Sequence, residues 1–263
     1  TSRKLRERLY RELASNVSLQ VEDTESPDAW IVSGRGELHL SILIETMRRE
    51  GYELQVSKPE VIYKKVDGEL MEPMEHLIMD IPKESLAAVM ENIGKRKAEM
   101  INMAASGAQH THLEYKIPAR GLIGFRSNLL TDTKGHGVMN HTFCGYEPYK
   151  GEFLTRYQGT LIAYQTGEAV TYGLLQAEER GTLFIHPGTK VYKGMIVGQH
   201  NRPQDLDINV CKQKHLSNMR ASGSDETVRL KEPRVFTLEE AIEFINDDEY
   251  VEVTPKNIRM RKK

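Results

Sequence analysis

Twice in its first 146 residues the chain runs through the same order of hydrophobic periods, and that repetition limits the fold more than any other feature. Leu5, Leu9 and Leu13 recur at helical spacing behind a capping Ser2, and Val17, Leu19 and Val21 then alternate with polar residues. Ala29-Trp30-Ile31-Val32 forms a second apolar run, Glu37 to Arg49 resumes a helical period that Gly51 stops, and Tyr52 to Val56 alternates again. The order helix, strand, strand, helix, strand is a ferredoxin-like βαββαβ module without its first strand. From Pro59 it starts over. Strands are expected at 61–63 and 75–81, a helix on Leu86, Val89, Met90 and Ile93, strands near 98–105 and 110–117, a helix over 121–131 and a closing strand over 138–146. Because the chain opens inside a helical pattern at Thr1 with no initiator Met, the expectation is a fragment of something longer.

Beyond Tyr149 the texture changes to short β-prone runs separated by Gly: Thr160 to Tyr164, Ala169 to Tyr172, Thr182 to Ile185 and Met195 to Val197. Such spacing suggests a small barrel or sandwich. Regularity lapses from Asn201 to Asp225, returns in the capping-box pattern Thr237-Leu238-Glu239-Glu240, and gives way to a strand near Tyr250 to Val253 and a basic tail from Lys256 to Lys263. The fold class expected is α+β, with two consecutive ferredoxin-like modules at 1–58 and 59–146 and a β-rich C-terminal domain with a small helix at 147–263.

Several kinds of chemistry find little support. No run of about 18 apolar residues is present to span a membrane. Cys144 and Cys211 are far apart, outside any paired motif, which fits a reducing, cytoplasmic setting. There is no Walker A pattern and no Asn-Lys-x-Asp, and Asp132-Thr133-Lys134-Gly135 is too short a match to carry a nucleotide site. His110 and His112 share a strand face, but without a third ligand at suitable spacing a metal is not expected. His136, His141 and Cys144 lack a base placed beside the thiol. Methionines 71, 74, 79, 100 and 103 read as packing. Gly34-Arg35-Gly36 and Gly121 to Gly124 precede helices, where an anion site or a tight connection would both fit. No catalytic residues are expected.

The basic segments say more. The stretch 209–224 holds Lys212, Lys214, His215 and Arg220 with Asn209, Gln213, Ser217 and Asn218 and no acid, a mixture suited to phosphate, sugar and exposed bases. Lys95-Arg96-Lys97 and the arginines of the first helix would extend such a footprint. The formal net charge of −2 does not oppose it, since it averages segregated pieces: 256–263 has five cations and no acid, and 239–249 six acids and no cation.

Three motifs carry a family resemblance. Ser33-Gly34-Arg35-Gly36-Glu37-Leu38-His39-Leu40 resembles the Gly-x-Gly-Glu-Leu-His-Leu signature of domain III in translational GTPases such as elongation factor G. Pro118 to Arg126 with Gly135-His136-Gly137 is similar to domain V in the TypA/BipA branch, and Lys214 to Gly223 resembles the C-terminal domain particular to that branch. The resemblance implies a ribosome-binding GTPase linked to large-subunit assembly and to stress or cold adaptation. It also implies that the GTPase domain and domain II, with their GTP and Mg sites, lie outside these residues, leaving no enzyme activity or cofactor here. By matching position, Lys212, Lys214, His215, Asn218 and Arg220 are the expected contacts to rRNA and the acceptor end of A-site tRNA, with Lys95, Arg96 and Lys97 as auxiliary contacts. The expected protein is monomeric, cytoplasmic and ribosome-associated. The alternative is a small-molecule-binding regulatory or metabolic protein built from tandem ferredoxin-like domains.

Overall fold

The computed structural model describes residues 2–153, 156–213 and 229–263. They fall into two compact units, residues 1–58 with 157–263, and residues 59–156.

The first unit opens with α1 (Ser2–Leu13), β1 (Gln20–Asp23), β2 (Trp30–Ser33), α2 (Glu37–Arg49) and β3 (Leu54–Ser57). Leu9 of α1 and Leu43 and Met47 of α2 are buried together with Leu19, and Leu5, Leu13, Trp30 and Val32 pack around them. The expected element order is present, but its strands do not make one sheet. β1 and β2 pair only with each other, Val21 opposite Val32, while β3 pairs elsewhere.

The second unit contains β4 (Lys64–Val66), β5 (Glu69–Pro82), a 3-10 turn at Lys83–Ser85, α3 (Leu86–Gly94), β6 (Glu99–Ser106), β7 (His110–Pro118), α4 (Ala119–Leu122), α5 (Phe125–Asp132) and β8 (Val138–Pro148). Its main strands lie in the order β8, β5, β7, β6, every neighbour antiparallel. Alternate residues Leu77, Met79 and Ile81 of β5 and Leu113, Tyr115 and Ile117 of β7 point into one core with Val89, Ile93, Phe125 and Leu129 of the helices. Two expectations shift. The strand placed at 61–63 is β4, three residues later, turning at Asp67-Gly68 into β5. The helix expected over 121–131 is broken, because Gly124 takes φ 69 between α4 and α5. The last strand runs on to Pro148, and Tyr149 N donates to Leu70 O at 2.9 Å, so a boundary at 146 falls inside β8.

The C-terminal residues complete the first unit with β9 (Thr160–Ala163), β10 (Gly167–Glu168), α6 (Thr171–Glu178), β11 (Gly181–Leu183), β12 (Lys190–Val191), β13 (Met195–His200), β14 (Leu206–Ile208), α7 (Leu238–Phe244), β15 (Glu249–Val253) and β16 (Ile258–Lys262). One sheet runs β14, β9, β13, β16, β15, β3, with β11 also on β13. Thus β3, distant in the chain, extends this sheet, Val56 opposite Val251. The β-prone run at 169–172 is not a strand: Thr171 and Tyr172 begin α6, whose Leu174 and Ala177 are buried at helical spacing. Gly173 lets that helix lie on the chain at Val210, since a Cβ there would sit 2.4 Å from the Val210 carbonyl oxygen. The Thr237 capping box forms as expected, with Glu240 N donating to Thr237 Oγ1 and Thr237 N to Glu240 Oε2. The basic tail is no tail, because β16 lies inside the sheet between β13 and β15.

Candidate nucleic-acid interface

Several of the cations that looked available are tied down within the fold, the most firmly held by partners distant in sequence. In α1, Arg8 is buried and its guanidinium donates to both carboxylate oxygens of Glu50, at 2.5 and 2.9 Å, and to Glu12 at 2.8 Å. Arg6 pairs with Asp23 at 2.8 Å and Arg3 with Glu7 at 3.0 Å. In β16, the Lys262 ammonium lies 2.6 Å from Asp205, 2.8 Å from Asp248 and 2.9 Å from the buried Glu249. Burial pulls the Lys262 pKa down, but bonds to those carboxylates outweigh it and hold the ammonium charged well above the usual lysine range. Arg259 stands opposite Glu252 on the neighbouring strand, and Arg261 lies 3.6 Å from the same carboxylate.

The run Lys95-Arg96-Lys97 splits. Lys95 is exposed and pairs with Glu91 at 2.6 Å, and Lys97 is exposed in a left-handed turn with φ 61. Arg96 is only 5% exposed. Its guanidinium donates to the carbonyls of Gly121 at 2.6 Å and Ile123 at 2.8 Å and lies 5.3 Å from the centre of the Phe125 ring. The break between α4 and α5 frees carbonyls that need donors, and Arg96 supplies them. Expected among the RNA contacts, Arg96 is instead buried, its guanidinium turned inward to clamp this break.

The motif residue Arg120 is likewise internal. It donates to the fully buried Glu72 at 2.6 and 3.2 Å and to Gly151 O at 2.6 Å, between the rings of Tyr149 and Phe153. The loose nucleotide-switch pattern at 132–135 has no phosphate cradle: Asp132 accepts from Asn92, Thr133 bonds Leu129 O and Gly137 N, and Lys134 faces Glu84 at 3.7 Å. These residues do not fit GTP or its magnesium. His112 shares its strand face with Asp80 at 2.9 Å and Glu114 at 3.5 Å. The Asp80 bond and nearby carboxylates raise its pKa. Among the described residues no group of three or more side chains is placed to hold a metal ion.

Around the acid-free stretch, Lys212 is exposed, while Lys214, His215, Asn218 and Arg220 lie outside the described residues. The chain leading in is firmly held. Val210 is 1% exposed in the core, its carbonyl accepts from Val170 N at 3.0 Å, and Cys211 N donates to Asn209 Oδ1 at 3.0 Å. The chain leading out is held as well: Leu230 packs on the same core, Lys231 N donates to Glu178 Oε1 at 2.7 Å and Arg234 N to Leu183 O at 2.8 Å. There a cleft of about 410 Å³ is lined by Thr171, His186, Arg229, Lys231 and Glu232 over an apolar floor of Leu183 and Ile185. Sequence reading missed Arg229 and Lys231. Their signal was the alternation Arg229-Leu230-Lys231, two cations flanking a core residue.

Comparison with known proteins covers nearly the whole chain. Residues 158–263 match the family model of the TypA/BipA C-terminal domain, residues 69–157 that of the elongation factor G C-terminus, and residues 1–58 that of elongation factor G domain III. Over its full length the chain is 54% identical to a protein of Synechocystis, 53% to one of Bacillus subtilis and 50% to one of Escherichia coli K12, each named large ribosomal subunit assembly factor BipA. The chain spans 43–44% of the length of these relatives.

Proposed function

The chain belongs to the TypA/BipA family, and from that premise we propose that it is the ribosome-binding portion of a translational GTPase that acts in large-subunit assembly in the cytoplasm, GTP hydrolysis residing in sequence outside these residues. Residues 59–156, with strand order β8, β5, β7, β6 and helices on one face, serve as a rigid ferredoxin-like body, and the C-terminal residues present the RNA contacts. Residues 209–224 meet rRNA and the acceptor end of A-site tRNA through Lys212, Lys214, His215, Asn218 and Arg220. The link to stress or cold adaptation follows from the same assembly role.

One observation carries this reading. Exposed Lys212 stands where the acid-free stretch leaves the core, and Arg229 and Lys231 stand where the chain re-enters it, whereas Arg6 and Arg8 of α1 and Lys262 of β16 are paired with carboxylates within the fold. Exposed cations thus stand at both ends of the segment. Such a surface makes a few phosphate contacts, and each adds roughly 0.7 to 0.9 to the slope of log affinity against log salt. The test is co-sedimentation of the chain with large ribosomal subunits across a salt series. Changing Lys212, Lys214 and Arg220 together to Glu is expected to weaken binding at least about tenfold and to flatten the salt slope by roughly 2 to 2.7. Unchanged binding would refute the assignment of this segment.

A further inference from the structure

Within residues 59–156, an exposed Phe143 and a half-buried Tyr146 form an aromatic pair with an exposed cation beside it. Phe143 on β8 is 58% exposed, and its ring meets that of Tyr146 edge to face at 5.6 Å. The Lys64 ammonium lies 4.2 Å from the centre of the Tyr146 ring. Among the described residues no carboxylate lies within 4.0 Å of that ammonium, whereas Arg3, Arg8, Arg120 and Lys262 are each paired with one. Of the acids on the neighbouring strands, Glu72 is held by Arg120, Glu75, opposite Phe143, is bonded by His141 at 3.2 Å, and Glu147 is bonded by Lys116 and, at 3.3 Å, by Lys150. Bonding to Lys116 is the main cause that holds the Glu147 pKa low. The turn Asp67-Gly68 and the bulge at Gly145, φ 130, fix the two strands that present these groups.

We propose that Phe143, Tyr146 and Lys64 form a nucleotide-binding platform for single-stranded RNA, one unpaired base stacking on Phe143 and its backbone phosphate lying against Lys64. The inference rests on the ribosome-binding reading for its biological setting and adds to it a second contact, on the other unit and by different chemistry. A largely bare aromatic ring on a strand offers a π-face that stacks with any base. An ammonium over an adjacent ring stays charged, oriented and open to a phosphate. The spacings of 4.2 and 5.6 Å keep ammonium and stacking ring within the reach of a single nucleotide.

Two measurements on the whole chain test it. The first is fluorescence anisotropy with a labelled unstructured 12-nucleotide RNA, and the second is co-sedimentation with large ribosomal subunits. Phe143→Ala is expected to weaken oligonucleotide binding about tenfold, Phe143→Trp to retain or tighten it, and Lys64→Glu to weaken it and lower the salt slope by about one. Because Phe143 is mostly exposed, far-UV circular dichroism of these variants should match the parent. Unaltered oligonucleotide affinity in Phe143→Ala, equal loss in Phe143→Ala and Phe143→Trp, or displacement of bound RNA by an acidic peptide but not by a nucleoside monophosphate would overturn the proposal. Phe143-dependent oligonucleotide binding without subunit co-sedimentation would uphold the platform and sink the ribosome reading, and the reverse pattern would do the opposite.

Discussion

Lysine at position 96 keeps a positive charge and loses the planar fork, so Arg96→Lys separates a structural clamp from an RNA contact. In the structure one guanidinium nitrogen donates to Gly121 O at 2.6 Å and Ile123 O at 2.8 Å while the planar group rests 5.3 Å from the Phe125 ring centre. A hydrogen bond from a charged donor contributes roughly 1.5 to 3 kcal/mol, and a buried carbonyl left without a donor costs roughly 1 to 3 kcal/mol. The shorter ammonium is expected to keep one of the two bonds and lose the stacking, a destabilisation of about 2 to 3 kcal/mol, and Arg96→Ala about 4 kcal/mol. With a urea m-value of roughly 1 to 3 kcal/mol/M, that moves the midpoint by about 1 M or more. The single tryptophan, Trp30, lies in the other unit. Urea unfolding followed by far-UV circular dichroism should therefore show an early transition that tryptophan fluorescence lacks, while Arg96→Lys keeps parent-level affinity for ribosomal subunits in dilute urea-free buffer. A midpoint within 0.2 M of the parent, or a loss of affinity equal to that of Lys95→Ala, would refute the clamp.

Two further outcomes follow from the ion pairs. Lys262→Met leaves Asp205, Asp248 and buried Glu249 facing one another without their cation, so the variant should lose about 3 to 5 kcal/mol at pH 7 and recover part of it toward pH 5 as carboxylates protonate. A pH-independent loss in thermal melts would contradict that account. His112 has a raised pKa, chiefly through its Asp80 bond, so its contribution to stability is present below the unfolded histidine value and fades as pH rises through the folded one. Proton NMR titration should find His112 above the ordinary histidine range and returning toward it in Asp80→Asn; an unmoved titration would show the bond to be idle.

What sequence alone determined is local. The alternation in β5 and β7 and the helical periods of α2, α3 and α5 put apolar residues on one face, whatever that face then meets. The Thr237 to Glu240 cap closes within four residues and was legible for the same reason. Where local signals misled, a distant neighbour had decided. The β-prone Thr171-Tyr172 became the start of α6 because the carbonyl of Val210 lies against Gly173 and a core receives Leu174 and Ala177. The strand β3 left its sequence neighbours for β15, where its partly buried Leu54 and Val56 pack beside Val253 and Val251. The candidate interface depended on such pairings even more. A charge run in a sequence reads the same whether it faces water or a carboxylate, and only the tertiary structure brought Glu50 to Arg8, Gly121 and Ile123 to Arg96, and three acids to Lys262. Hydrophobic periodicity is set by the backbone's own repeat, while the fate of a charge is set by whatever chain register places beside it.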